Sequence, residues 1–241
     1  MPHIPASSGL APWRLTVITL FPELFPGPLA ASLTGQALSA GLWSLAAIDL
    51  RDHGLGRHRA VDDTPAGGGA GMVLRADVVA SAIDAASVAS PGAPLIYLSP
   101  RGEPFTQALA AELVQGPGVT LLAGRFEGVD ERVIEARQLR EVSLGDYMLS
   151  GGELAAMVIA DACLRLIPGV LGAAESLEQE SFNDGLLEYP QYTRPRDFEG
   201  RPIPDVLLSG DHKKIAEWRQ FQARRITLAR RPDLMSGKPR R

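Results

Sequence analysis

The chain has 241 residues, 45% of them hydrophobic and 22% charged, with a formal net charge of −4. This mix suits a soluble globular protein of one large or two small domains, and the lack of any run of about 18 apolar residues argues against a membrane-spanning helix. The single cysteine, Cys163, excludes an internal disulfide; set in an apolar run, it reads as a buried thiol in a cytoplasmic protein.

Residues 1–12 are rich in Pro, Ser and Ala, with neither a basic start nor an apolar block. They read as a loose N-terminal extension and not as a signal peptide. Thr16 to Leu20 is a β-branched apolar run, stopped by Phe21-Pro22 at the first turn of a helix. Ala46 to Leu50 is a second strand. The polar stretch after it, Arg51 to Thr64, carries His53, Arg57, His58, Arg59, Asp62 and Asp63. No further His or Cys lies near enough to complete a structural zinc site, and the arginines and histidines suit phosphate or base contact better. Gly67 to Gly71 lacks both the Lys-Ser/Thr ending of a nucleoside triphosphate loop and the spacing of a dinucleotide fingerprint.

A helical run from Ala76 to about Ala86 leads to a buried strand, Leu95 to Leu98, which ends at Ser99-Pro100-Arg101-Gly102. Phe105 to Val114 reads as a helix with Gly116 past its end. The strand Val119 to Ala123 ends at Gly124-Arg125-Phe126-Glu127-Gly128. Asp130 to Gln138 is helical, and Val142 to Leu144 leads into Gly145-Asp146-Tyr147-Met148-Leu149-Ser150-Gly151-Gly152-Glu153. Three successive strand ends thus carry Gly, Pro, Ser and Glu. In open α/β sheets ligands bind outside the carboxyl ends of the strands, so these loops are expected to converge on one pocket.

Leu154 to Ile167 is apolar nearly all round and is expected to be buried on most sides, in part against a partner subunit. Pro168-Gly169 ends it. Gly172 to Gly185, small, acidic and polar, reads as an interdomain linker. The last segment holds Asp211 as a helix N-cap and a helix to about Arg231, with Ile215, Trp218 and Phe221 along one face. Charge is concentrated here: residues 190–241 carry 13 Lys and Arg against 6 Asp and Glu, whereas the rest carries 11 against 22. A basic tail on an acidic body points to a polyanionic partner, although a solvated helix surface gives the same count.

These pieces, in this order, resemble the bacterial tRNA (guanine-N1)-methyltransferases of the SPOUT class. The matching segments include Thr19 to Glu23, His58 to Asp63, Gly67 to Met72, Tyr97 to Pro100 and Gly124 to Gly128. Further matches are Asp130 to Arg132, Gly145 to Glu153, Ile167 to Gly172, Tyr192 to Pro195 and Leu207 to Gly210, so that the likeness runs from about Trp13 to Leu234. The resemblance implies an α/β fold with a mostly parallel sheet and a deep trefoil knot over residues 13–171. A linker at 172–185 and a small all-helical tRNA-binding domain at 186–241 would follow. It also implies a cytoplasmic homodimer whose active site is shared between subunits.

The implied reaction is methylation of the guanine immediately 3′ of the anticodon, which maintains the reading frame. The implied donor is S-adenosylmethionine, held by Leu98, Ser99 and Pro100, by Gly124, Phe126 and Glu127, and by Leu144, Gly145, Asp146, Tyr147, Met148, Leu149, Gly151 and Gly152. Guanine N1 carries a proton at neutral pH, so a base must reach it, and charge that gathers on O6 calls for a cation. The family's arginine matches Arg165. Its linker aspartate matches Glu180, a departure that keeps the carboxylate on a side chain one methylene longer, and Asp184 is the alternative acid. His58, Arg59, Asp62, Gly71, Arg194, Lys213 and Arg219 are the implied RNA contacts. The resemblance brings magnesium with it, yet no protein ligand cluster marks a metal site. Phe126, where the family usually has tyrosine, and Ala155, where proline is frequent, are lesser departures. A different RNA target for the same fold, or an RNA-binding relative without activity, are the rival readings.

Overall fold

The computed structural model describes residues 11–171, 181, 182 and 185–236. The chain divides into two compact units, residues 1–172 and 173–241. In the first, five strands form one sheet: β1 (Trp13–Thr19), β2 (Trp43–Asp49), β5 (Leu95–Pro104), β6 (Gly118–Ala123) and β7 (Arg140–Ser143), in the order β2-β1-β6-β5-β7. Every adjacent pair runs parallel. The remaining strands of this unit, β3 (Asp62–Asp63) and β4 (Val73–Leu74), form a short antiparallel ladder beside it.

Buried parallel strands read as continuous apolar runs because both faces are covered. Alternate residues feed two separate cores. Leu15, Val17, Ile96, Leu98, Val119, Leu121 and Ala123 pack with α3 (Gln107–Val114) and α5 (Glu153–Leu164) on one face. On the other face, Ile18, Tyr97 and Leu122 pack with α2 (Ala76–Ala89) and α4 (Glu131–Ala136). A short helix, α1 (Ser32–Ser39), joins β1 to β2 and places Ala37 in the first core.

One expectation changes here. β5 does not stop at Leu98 but continues to Pro104, because after a slip in register Glu103 and Pro104 pair with Val142 and Ser143. α5 is buried on most sides, as expected, and the apolar residues it leaves open in the single chain are Leu154, 62% exposed, and Val158, 52% exposed. The two lie one helical turn apart on its outer face, opposite Ala155, Ile159 and Cys163, which are buried against α3 and the sheet.

The second unit is not all-helical. Helices α6 (Asp205–Leu208), α7 (His212–Arg230) and α8 (Pro232–Ser236) are preceded by a tight hairpin of β8 (Asp197–Phe198) and β9 (Arg201–Pro202). Asp197 closes that hairpin by accepting the Gly200 amide at 2.9 Å. Asp211 caps α7 as expected, accepting the Lys214 amide at 3.1 Å. Phe221, however, is 63% exposed; the inner face of α7 is set by Ala223 and Thr227, and Phe221 falls off it. Thr227 Oγ1 accepts the Leu187 amide, Trp218 meets Tyr192 edge-on, and Arg219 lies over Tyr189.

Candidate functional site

The middle of β5 and the carboxyl ends of β6 and β7 open into one cleft of about 130 Å³. By the same measure that is room for roughly ten waters. Its walls are Tyr97 to Pro100 within β5, Gly124 to Gly128 after β6, and Val142 to Gly152 (Asp146 excepted) from the end of β7 onward, with Ala155 from α5. The loops are held together by backbone pairing. Gly152 N–H donates to Gly124 C=O at 2.9 Å, and Glu127 N–H donates to Met72 C=O at 2.9 Å.

The glycines of these loops serve packing behind the cleft as much as approach from within it. A Cβ on Gly124 would lie 2.8 Å from the Tyr97 ring, one on Gly151 2.2 Å from Arg125 Nε, and one on Gly152 2.7 Å from Ala123 Cα. Each side chain would collide with the scaffold, so the cleft wall is left as bare peptide. Among the described residues, the amides of Met148, Leu149, Ser150 and Gly151 have no hydrogen-bond acceptor within the protein. A wall of free N–H groups beside Leu98, Pro100, Leu144 and Leu149 fits a ligand that is part apolar and part rich in acceptors. Phe126 sits at the rim with a positive φ of 59°, a strained conformation for an aromatic residue.

An ion pair joins the cleft wall, at Arg125, to the buried Glu153 behind it. The Glu153 carboxylate is 2% exposed, and Arg125 reaches it through Nε at 2.9 Å and Nη2 at 2.8 Å. Thr19 Oγ1 donates to the same carboxylate at 2.8 Å and accepts the Phe21 amide at 3.0 Å. Arg125 Nη1 donates to Ser150 C=O at 3.2 Å, and the Phe21 ring lies 4.4 Å from the guanidinium carbon.

The profile of the family described as tRNA (Guanine-1)-methyltransferase TrmD matches residues 13–237. The chain belongs to this family. It is 64% identical over 226 residues to a tRNA (guanine-N(1)-)-methyltransferase of Rhodopseudomonas palustris (strain HaA2), covering 94% of this chain and 89% of the relative. The corresponding protein of Nitrobacter winogradskyi is 64% identical over 94% of each chain, and that of Bradyrhizobium diazoefficiens 61% identical over 95% of this chain and 91% of its own.

In this member of the tRNA (guanine-1)-methyltransferase family, the residues expected around the donor gather in the cleft. Leu98, Ser99, Pro100, Gly124, Phe126, Glu127, Leu144, Gly145, Tyr147, Met148, Leu149, Gly151 and Gly152 all line it, whereas Asp146 is exposed and does not. Gly71 is brought to the rim, where a Cβ would lie 2.4 Å from Glu127 Oε1. Asp62 starts β3. His58 and Arg59 are exposed on the loop closed by the Leu55–Ala60 bridge, and Arg59 pairs with Asp52 at 3.0 Å. Arg165, half-buried at the C-terminal end of α5, is outside the lining of the cleft. In the second unit Arg194 and Lys213 are exposed, and Arg219 is half-buried over Tyr189 at 4.8 Å. Glu180 and Asp184 lie outside the described residues.

Sequence reasoning passed over Arg125 and Glu153 as site residues, although both stand in quoted motifs. The available sign was a carboxylate opening a helix that is otherwise largely apolar, since a buried charge needs a partner. Among the described residues no group of three or more His, Cys, Asp or Glu side chains is placed to hold a metal ion, and no helix is long and apolar enough to cross a membrane.

Proposed function

We propose that the protein transfers a methyl group from S-adenosylmethionine to N1 of the guanine immediately 3′ of the anticodon of tRNA, in the cytoplasm. The observation that carries this reading is the cleft itself, in which Tyr97 to Pro100 of β5 and the loops after β6 and β7, in a chain of this family, close around free backbone amides. When bound there, S-adenosylmethionine supplies the electrophilic methyl group. Leu98, Leu144 and Leu149 would hold its apolar parts, and the amides of Met148 to Gly151 its acceptors.

The remaining chemistry falls to side chains. Glu180 takes the proton from guanine N1, and Arg165 stabilises the charge that gathers on O6. Glutamate keeps the carboxylate of the family's aspartate, and the linker that carries it supplies the backbone adjustment for the extra methylene. Gly71 with Glu127, the loop of His58, Arg59 and Asp62, and Arg194, Lys213 and Arg219 receive the RNA. We assign no step to magnesium.

Residues 13–171 act as the methyltransferase domain, 172–185 as a linker and 186–241 as the tRNA-binding domain. We infer that the first of these is knotted. In support, the chain leaves β7 at the edge of the sheet, passes β5 and joins Gly152 to Gly124 at the end of β6. We also infer a homodimer that covers Leu154 and Val158, apolar residues left open on α5.

Methyl transfer from labelled S-adenosylmethionine to two unmodified leucine tRNA transcripts tests the reading. One transcript carries guanine 3′ of the anticodon with guanine before it, and the other carries adenine at the target. Transfer to the first alone is expected. Transfer to neither, with donor binding intact, would assign the fold to another RNA target.

A further inference from the structure

The Arg125–Glu153 pair runs from the cleft lining, to which Arg125 belongs, to the buried Glu153 behind it, and three stretches of the first unit meet on it. Thr19 ends β1, Phe21 follows it, Arg125 belongs to the loop after β6, and Ser150 to Glu153 join the glycine loop to α5. We propose that Glu153 is the positioning residue of the donor site: its carboxylate orients the Arg125 guanidinium, which in turn sets the course of the Ser150–Gly152 peptide wall. The inference rests on the reading of the cleft as a methyl-donor site.

The geometry leaves the guanidinium little choice of position. Nε and Nη2 are committed to the carboxylate at 2.9 and 2.8 Å, Nη1 to Ser150 C=O at 3.2 Å, and one face to the Phe21 ring. The carboxylate is equally committed, because Thr19 Oγ1 donates to the oxygen Oε1 while Arg125 approaches both. A carboxylate this deeply buried is retained only when its acceptor sites are filled, and removing one partner leaves the other charge uncompensated. In this arrangement the uncompensated group would be Arg125, whose side chain packs directly beneath Gly151. Once released, it would move into the space of the wall that carries the free amides. Glu153 itself is outside the cleft lining, so its effect on a ligand passes through Arg125 and the loop.

A purely structural ion pair and a positioning one predict different measurements. The full-length protein and its Glu153→Gln, Thr19→Val and Thr19→Ser variants would be titrated calorimetrically with S-adenosylmethionine, and KM for tRNA and kcat would be measured alongside. Glu153→Gln is expected to weaken donor binding about tenfold or more, while KM for tRNA stays within about twofold. Thr19→Val, which removes only the hydroxyl, is expected to weaken the donor in the same direction, and Thr19→Ser, which restores it, to bind as wild type. Should Glu153→Gln fail to fold, the Thr19 pair decides. Donor affinity unchanged in Glu153→Gln and Thr19→Val, or donor and tRNA parameters worsened equally, would overturn the proposal. A wild-type protein that binds no donor would instead overturn the reading of the cleft, and this inference with it.

Discussion

Gly151 is packed over the Arg125 guanidinium so closely that a Cβ there would lie 2.2 Å from Nε, and a Cβ on its neighbour Gly152 would lie 2.7 Å from Ala123 Cα. The two contacts differ in what can yield. A side chain can turn aside, whereas the Ala123–Gly124 backbone belongs to the end of a central strand. Gly152→Ala is therefore expected to cost stability, about 1–3 kcal/mol as overpacking does. Gly151→Ala is expected to fold but to bind the methyl donor several-fold more weakly. Urea unfolding and donor titration of the two variants check both statements.

Burial pushes the Cys163 thiol from 9.0 up to about 12. The folded chain therefore keeps its proton where the unfolded chain loses it, so the contribution to stability is complete below pH 9 and is lost as pH rises from about 9 towards 12. Over that interval one such group tilts stability by up to about 1.4 kcal/mol per pH unit. Unfolding curves of wild type and Cys163→Ala between pH 8 and pH 11 are expected to show a shallower alkaline decline in the variant. The wild-type thiol is expected to stay inert to thiol reagents until the chain unfolds.

Leu154 and Val158 form the open stripe of α5. Replacing both by Glu is expected to yield a folded monomer in sedimentation experiments, with methyl transfer reduced to background if the active site is completed by a second copy. A dimer that survives both charges would place the subunit contact elsewhere.

Glu180 is proposed as the base, and its substitutions separate chemistry from binding. Glu180→Gln is expected to lower the single-turnover rate about a hundredfold or more, in the range that a positioned general base contributes. Glu180→Asp, which restores the residue usual in the family, should retain most of the rate, and Asp184→Asn should change it only a few-fold. A Glu180→Gln rate within a few-fold of wild type would remove the assignment.

What could be read from the sequence was whatever local chemistry decides. The apolar strand runs, the Asp211 cap and the glycine-bearing ends of β6 and β7 are each specified by neighbours in the chain, and they appear where expected. The extension of β5 could not be read, because Arg101, Gly102 and Glu103 carry no strand pattern and pair only after a slip against β7. The inner face of α7 could not be read from the spacing of Ile215, Trp218 and Phe221, because it is set by small side chains, Ala223 and Thr227, and Phe221 stays exposed. The Arg125–Glu153 pair joins residues 28 apart in sequence, with α4 and β7 between them, and no period or spacing announces such a contact.

β1 sits between β2 and β6, with Arg14 to Ile18 paired to residues 118–122 and the Trp13 indole donating to Leu113 C=O. A chain made at about 5–20 residues per second takes on the order of 5–20 s to pass from β1 to the end of β6. Throughout that interval Leu15, Val17 and Ile18 belong to a strand with one edge unpaired, a template for any other extended segment nearby. The half-made chain on the ribosome is thus more open to aggregation than the finished protein. Substitutions that weaken β6 will reduce the yield of folded protein by prolonging that wait, even where the folded protein tolerates them.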